Sequence, residues 1–226
     1  MRVLVTGAAS SGKSAWAEAR AMGLAAPRTY VATMAPAGRE AAARIRRHRE
    51  LRRGKGFRTV ELFGADAGSD PAVGPGNAGP GAAGAGAAGT GPDVGALLDS
   101  LGLRGGCALV EDLGNLLANR LFSPDGAEVA PVLALERAEG DLEAVYARFD
   151  DVVVVGCEVG CEGVDCLVPG AARVLAGPGD PRLATERYVR LLGTLACRVA
   201  RGSDEVVEVV ASRPNYLRGG DALVAR

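Results

Sequence analysis

The 226-residue sequence predicts an α/β fold, a mostly parallel sheet with helices on both faces, on three observations. Short apolar runs alternate with helix-length stretches along the chain. The run Asp151-Val152-Val153-Val154-Val155 has almost no polar alternation, as expected of a strand covered on both faces. The first run, Arg2-Val3-Leu4-Val5-Thr6, passes directly into a glycine-bounded turn that opens a helix.

The elements follow in order. After the strand at 2–6, Ser14 to Met22 reads as a helix. Arg28 to Thr33 reads as a second strand and Gly38 to Arg53 as a helix with Ala41, Ile45 and His48 on one stripe. Arg58 to Phe63 is a third strand. Of the 29 residues from 64 to 92, 23 are Gly, Ala or Pro. Such a composition builds no core, so this stretch reads as a flexible surface insertion in a single domain spanning 1–226. The pattern resumes with a helix at Val94–Leu101 and a strand at Cys107–Val110 that ends in Glu111-Asp112. Helices follow at Leu113–Phe122 and Glu128–Phe149, then the strand at 151–155 and a helix at Pro181–Arg201. The last expected strand, Glu205–Val210, alternates in a way that suits a sheet edge.

Lys and Arg total 26 against 27 Asp and Glu, a net charge of −1. A globally basic nucleic-acid binder and an acidic disordered tail are both excluded. No run reaches the roughly 18 apolar residues of a membrane span, and the first residues do not form a signal peptide. The five Cys (107, 157, 161, 166 and 197) then read as reduced thiols in the cytoplasm. Cys157, Cys161 and Cys166, with Glu158, Glu162 and Asp165, have spacings that occur in zinc sites, but no second pair or nearby His completes one. Free thiols in an irregular loop are the better reading.

Gly7-Ala8-Ala9-Ser10-Ser11-Gly12-Lys13-Ser14 matches G-x-x-x-x-G-K-[ST] at every fixed position, between a strand and a helix. Glycine lets backbone N–H groups wrap a phosphate, and the helix N-terminus adds its positive end. Lys13 is expected on the β/γ-phosphates of a nucleotide and the Ser14 hydroxyl on Mg²⁺. Only two residues are Lys, at 13 and 55, in a chain that otherwise uses Arg. Glu111 and Asp112 are candidates for the acid that holds the ion; the alternative is that they simply begin the next helix.

From Arg44 to Arg58 there are seven Arg and one Lys against one acid, Glu50. The run reads as a solvated helix face, a nucleic-acid patch or a clamp for polyphosphate. His48, the sole His, sits within it and is either structural or a nucleophile. As a nucleophile it would be a neutral ring among guanidinium charges, attacking a phosphorus made electrophilic by Arg and Mg²⁺.

Several stretches together resemble a known family. LVTGAASSGKS at 4–14 is similar to its strand and phosphate loop, and TYVATM at 29–34 to its second strand. AARIRRHRE at 42–50 resembles the family's histidine segment, FRTVE at 57–61 its third strand, and LVEDLGNLLANRLF at 109–122 its acid-ended strand and helix. RYVRLLGTLACRVARGSDEVVEVV at 187–210 resembles its last helix and strand. The family is the bifunctional adenosylcobinamide kinase / adenosylcobinamide-phosphate guanylyltransferase of cobalamin biosynthesis. The resemblance implies a P-loop NTPase fold of RecA-like type, with an antiparallel edge strand at the C-terminus. It implies phosphorylation of adenosylcobinamide by ATP or GTP. GMP from GTP would then pass through a phosphoramidate on His48 to the new phosphate, giving adenosylcobinamide-GDP. The implied nucleotide contacts are Gly7, Ala8, Ala9, Ser10, Ser11, Gly12, Lys13, Ser14, Ala32, Thr33, Met34, Arg49, Glu50, Leu51, Arg52, Glu61 and Glu111. Ser14 and Glu111 would hold Mg²⁺, so the resemblance favours Glu111 over Asp112. The partners implied are small molecules, with no nucleic acid, and a homo-oligomer such as a trimer. Two other readings keep the nucleotide: another P-loop small-molecule kinase in which His48 is structural, and a non-catalytic nucleotide-binding subunit. The chain departs from the family pattern at Phe57, Gly114-Asn115, Cys157, Ala196-Cys197 and the residues after Gly160, regions that could shape the corrinoid pocket.

Overall fold

The computed structural model describes residues 1–35, 38–63, 91–123, 127–158 and 184–220, the side chains of 38–42 and 51 aside. Seven strands form one sheet in the order β3-β2-β4-β5-β1-β6-β7. They are β1 (Arg2–Thr6), β2 (Arg28–Ala32), β3 (Phe57–Glu61), β4 (Cys107–Val110), β5 (Asp151–Val155), β6 (Glu205–Val210) and β7 (Arg213–Arg218). All neighbours are parallel except β6 and β7. This is the mostly parallel α/β sheet expected, consistent with a P-loop NTPase-like fold, and its antiparallel pair lies at the C-terminal edge.

The strand sequences explain the layering. Successive side chains point to opposite faces, so an unbroken apolar strand feeds two cores. Leu4, Val31, Ala108, Val110, Val152, Val154 and Val206 enter the larger core. Val3, Val5, Tyr30, Ala32, Leu109, Val153, Val155 and Val207 enter the other. The larger core is covered by α3 (Val94–Ser100), α4 (Leu113–Leu121), α5 (Pro131–Tyr146) and α6 (Ala184–Gly202). The smaller one is closed by α1 (Lys13–Met22) through Ala17, Ala21 and Trp16. Helix α2 is Gly38–Arg52. Among the described residues, no helix is long and apolar enough to cross a membrane.

Two expectations are corrected. β6 is an interior strand, paired with β1 on one side and β7 on the other. Its Glu205 is buried because Arg20 of α1 reaches it at 3.0 Å, so a polar residue there did not mark an open edge. The edge is β7, whose sequence RPNYLR lacks apolar alternation; its Pro214 is tolerated because edge strands can spare a donor. The helix expected from Glu128 starts at Pro131, in the first turn where its missing N–H costs nothing. Glu128 instead accepts two hydrogen bonds from Arg187 of α6. The insertion read at 64–92 lies outside the described residues up to 90.

The larger core contains a buried ion pair. Arg120 of α4 donates to both carboxylate oxygens of Asp141 in α5 at 2.6 Å, and to the Pro92 carbonyl at 2.8 Å. Burial pushes the Asp141 carboxyl above its ordinary range, against the lowering pull of Arg120. Removing one partner strands a buried charge, whereas removing both does not. Asp141→Leu is therefore expected to lower stability by about 3–5 kcal/mol in urea unfolding. Arg120→Met added to it should return at least half of that loss.

Candidate functional site

The parallel strands bring the β1–α1 turn, the ends of β2, β3 and β4, and α2 to one edge of the sheet. The turn is Gly7 to Gly12. Ser11 N–H donates to the Ala8 carbonyl at 3.2 Å, and Trp16 N–H to Gly12 at 3.0 Å as the helix begins. Gly12 is the N-cap with φ 93°, a left-handed conformation that suits glycine. The first-turn N–H groups of α1 have no intrahelical acceptors, which is what an anion needs. Lys13 arches back, its ammonium donating to the Ala8 carbonyl at 3.2 Å, and Ser14 is exposed on the first turn.

β5 lies between β1 and β4. Adjacent strands are spaced by ~4.8 Å, so the phosphate-loop strand and the acid-ended strand stand ~10 Å apart across the sheet. The two acids after β4 have different tasks. Asp112 caps α4: its carboxylate accepts from Gly114 N–H at 2.7 Å and from the Asn115 amide at 3.3 Å. Burial pushes it up, against those hydrogen bonds and the Lys13 charge. Glu111 is free of the cap and only 8 % exposed. Its Oε1 lies 2.6 Å from His48 Nδ1.

Helix α2 is thus docked on the sheet edge by its charged face. Arg49 donates to Glu61 at the end of β3, through Nε at 2.9 Å and Nη2 at 2.5 Å. The Arg52 guanidinium lies 3.5 Å from the centre of the Tyr30 ring. Lys55, just past the helix, meets Glu18 of α1 at 2.5 Å. Of the guanidinium groups expected around the imidazole, Arg49 turns to Glu61 and Arg52 to Tyr30, and the ring itself contacts a carboxylate. Arg44, Arg46, Arg47, Glu50 and Arg53 are exposed. Leu51's side chain lies outside the described residues.

The other expected contacts are interior. Ala32, Thr33 and Met34 are buried. The Ala32 carbonyl accepts from Leu62 N–H at 3.0 Å. Thr33 donates its hydroxyl to the Asp112 carbonyl at 2.9 Å, and its own carbonyl accepts from Asn119 at 2.8 Å. Arg52, 6 % exposed, is buried with Nε and Nη1 unpaired among the described residues. Sequence reasoning did not single out Tyr30, which is buried beside Glu111; only its place in the second strand hinted at it. Burial first, and the Glu111 charge second, hold its hydroxyl well above the ordinary tyrosine range, against the lowering effect of Arg52. Cys107 is buried, which pushes its thiol up to about 11, as suits a structural cysteine. Cys157 and Cys197 are free thiols, Cys161 and Cys166 lie outside the described residues, and no metal cluster of three His, Cys, Asp or Glu occurs among the described ones.

Fold and turn together are consistent with a P-loop NTPase-like protein, the glycine-lysine turn after β1 lying one strand away from the acid-ended β4. Residues 3–66 match the family model of cobinamide kinase / cobinamide phosphate guanyltransferase. The matched stretch runs from β1 through the phosphate loop, β2, α2 and β3. No curated protein matches the chain.

The tyrosines provide a pH test. Burial pushes Tyr146 and Tyr188 up to about 12, and Tyr30 is also raised. A raised folded value means the folded chain keeps protons that the unfolded chain has lost, so stability is full below the unfolded value of about 10 and falls as pH rises from there. In an ultraviolet absorbance titration, three of the four tyrosines should stay protonated at pH 10.5 in the folded protein and ionise on unfolding.

Proposed function

We propose that the chain phosphorylates adenosylcobinamide with ATP or GTP and then transfers GMP from GTP to the product through His48. The observation that carries this reading is the 2.6 Å contact between His48 Nδ1 and Glu111, which brings the lone imidazole to the edge where the phosphate loop opens. Glu111 accepts a hydrogen bond from the Nδ1–H and so selects the tautomer that leaves Nε2 with its lone pair. Gly7 to Ser14 hold the phosphate chain, with Lys13 released from Ala8 to meet it.

In the kinase step, the substrate hydroxyl attacks the γ-phosphorus, the bond to the β-phosphate oxygen breaks, and the nucleoside diphosphate leaves. In the transfer step, His48 Nε2 attacks the α-phosphorus of GTP, an N–P bond forms and pyrophosphate leaves. A phosphate oxygen of the cobinamide phosphate then attacks that phosphorus, the N–P bond breaks and the imidazole is restored. Arg49 and Arg52 set the helix through Glu61 and Tyr30 in this arrangement, and Arg44, Arg46 and Arg47 supply exposed positive charge near the leaving pyrophosphate. The Ser14 hydroxyl and the Glu111 carboxylate are hard oxygen donors of the kind Mg²⁺ takes, and magnesium needs only one or two of them from a protein. When bound, the ion supplies charge neutralisation on the phosphates.

With α-labelled GTP and Mg²⁺, the protein is expected to take up acid-labile, base-stable label, and His48→Ala to take up none. Glu111→Gln should slow labelling by roughly 10²-fold or more. Label that survives in His48→Ala would assign the nucleophile elsewhere. Lys13→Ala should weaken MgATP and MgGTP binding at least tenfold in calorimetry.

A further inference from the structure

The β6–β7 hairpin turns at Ala211-Ser212, directly against the phosphate loop. Both residues have positive φ, 47° and 63°, the pair of left-handed conformations a two-residue hairpin turn demands. Asn-Gly or Gly-Gly meets that demand at little cost; Ala and Ser do not. Strain of this kind persists where surrounding contacts over-determine it.

One such contact and two close backbone approaches are present. Ser212 N–H donates to the Ser11 carbonyl at 2.7 Å. A Cβ at Gly12 would lie 2.6 Å from Ser212 Oγ, and one at Gly7 2.5 Å from the Val209 carbonyl oxygen. The two fixed glycines of the loop are therefore required by the hairpin pressed on them as well as by a phosphate. Beyond the turn, Tyr216 of β7 packs edge-on against Trp16 of α1, with ring centres 6.3 Å apart. The hairpin thus touches the loop at both ends and the helix that follows it.

We propose that Ser212 is a positioning residue for nucleotide binding, its backbone N–H fixing the orientation of the Ser11–Gly12 peptide. A trans peptide points its C=O and the following N–H in opposite directions. Holding the Ser11 carbonyl on the hairpin therefore aims the Gly12 N–H away from the hairpin, pre-set as one donor of the phosphate cradle. The inference rests on the nucleotide reading above, and adds a C-terminal element to a site otherwise drawn from the first 111 residues.

The test deletes the donor alone. The Ser212 amide is replaced by an ester, using the α-hydroxy analogue of serine in the full chain, and MgGTP binding is measured by calorimetry beside the thermal midpoint without nucleotide. The expected result is affinity weakened about three- to tenfold, with the midpoint lowered by less than about 4 °C. The MgGTP-induced change in emission of Trp16, the sole tryptophan, should shrink at matched saturation. Ala211→Gly relieves the neighbouring positive φ, keeps the Ser212 N–H, and should bind as the parent does. Should the ester protein not fold, Ser212→Val serves, since it keeps the donor but disfavours φ 63° and should weaken binding in the same direction. An ester or valine protein that binds MgGTP as tightly as the parent overturns the proposal, whatever its midpoint. A parent that binds neither MgGTP nor MgATP overturns the nucleotide reading instead.

Discussion

One carboxylate holds the candidate site together. Glu111 directly follows β4, is nearly buried, and receives the His48 imidazole at 2.6 Å. A buried carboxylate is costly unless it is hydrogen-bonded, and the imidazole supplies that bond from an element far away in sequence. The rest of α2 follows the same logic. Arg49 seeks Glu61 and Arg52 covers the ring of Tyr30, so that a helix with little apolar surface is docked by charge and cation–π contact. Such a helix is placed with specificity, because each contact needs one particular partner and the acids it meets are nearly buried.

The order of the sheet makes this arrangement possible. Because β5 separates β1 from β4, the phosphate loop and Glu111 face each other across a gap instead of touching. All six parallel strands end at this edge, and the passages after β1, β2, β3 and β4 each leave a polar group there: Lys13, Thr33, Glu61 and Glu111. A parallel sheet places all such strand ends on one side by construction. Helix α2 leaves from the same edge after β2, which is how a histidine 35 residues beyond Lys13 reaches the same region.

Much of this was legible in the sequence. The valine run of β5 and the glycine-lysine turn after β1 are local signals, and both elements lie where periodicity put them. The acid pair was legible as a pair. Its division of labour was not, because capping by Asp112 depends on backbone angles at one residue, φ −160° and ψ 119°, and not on spacing. The basic run showed its charge but not its partners. Coulombic pairs between distant segments leave no periodic trace, so Arg52 could not be told from an exposed arginine. β7 was implied by the resemblance but not located by pattern, for a related reason: its turn uses Ala211 and Ser212 where the usual signal is Asn or Gly, and its edge strand is exposed except at Tyr216.

The same reasoning connects the two ends of the chain. Turn signals in sequence record what a residue prefers, while the structure records what its neighbours impose. At Ala211-Ser212 the two disagree, and the neighbours are the Ser11 carbonyl and Gly12 of the phosphate loop. Glycine at 7 and 12 is conformationally free in the unfolded chain, so a bare loop would spend entropy on binding a phosphate. A hairpin that already fixes the loop shifts that cost from binding to folding. The strain at the hairpin tip and the freedom of the loop glycines are then two sides of one arrangement, in which the last strands of the sheet prepare the first turn for its ligand.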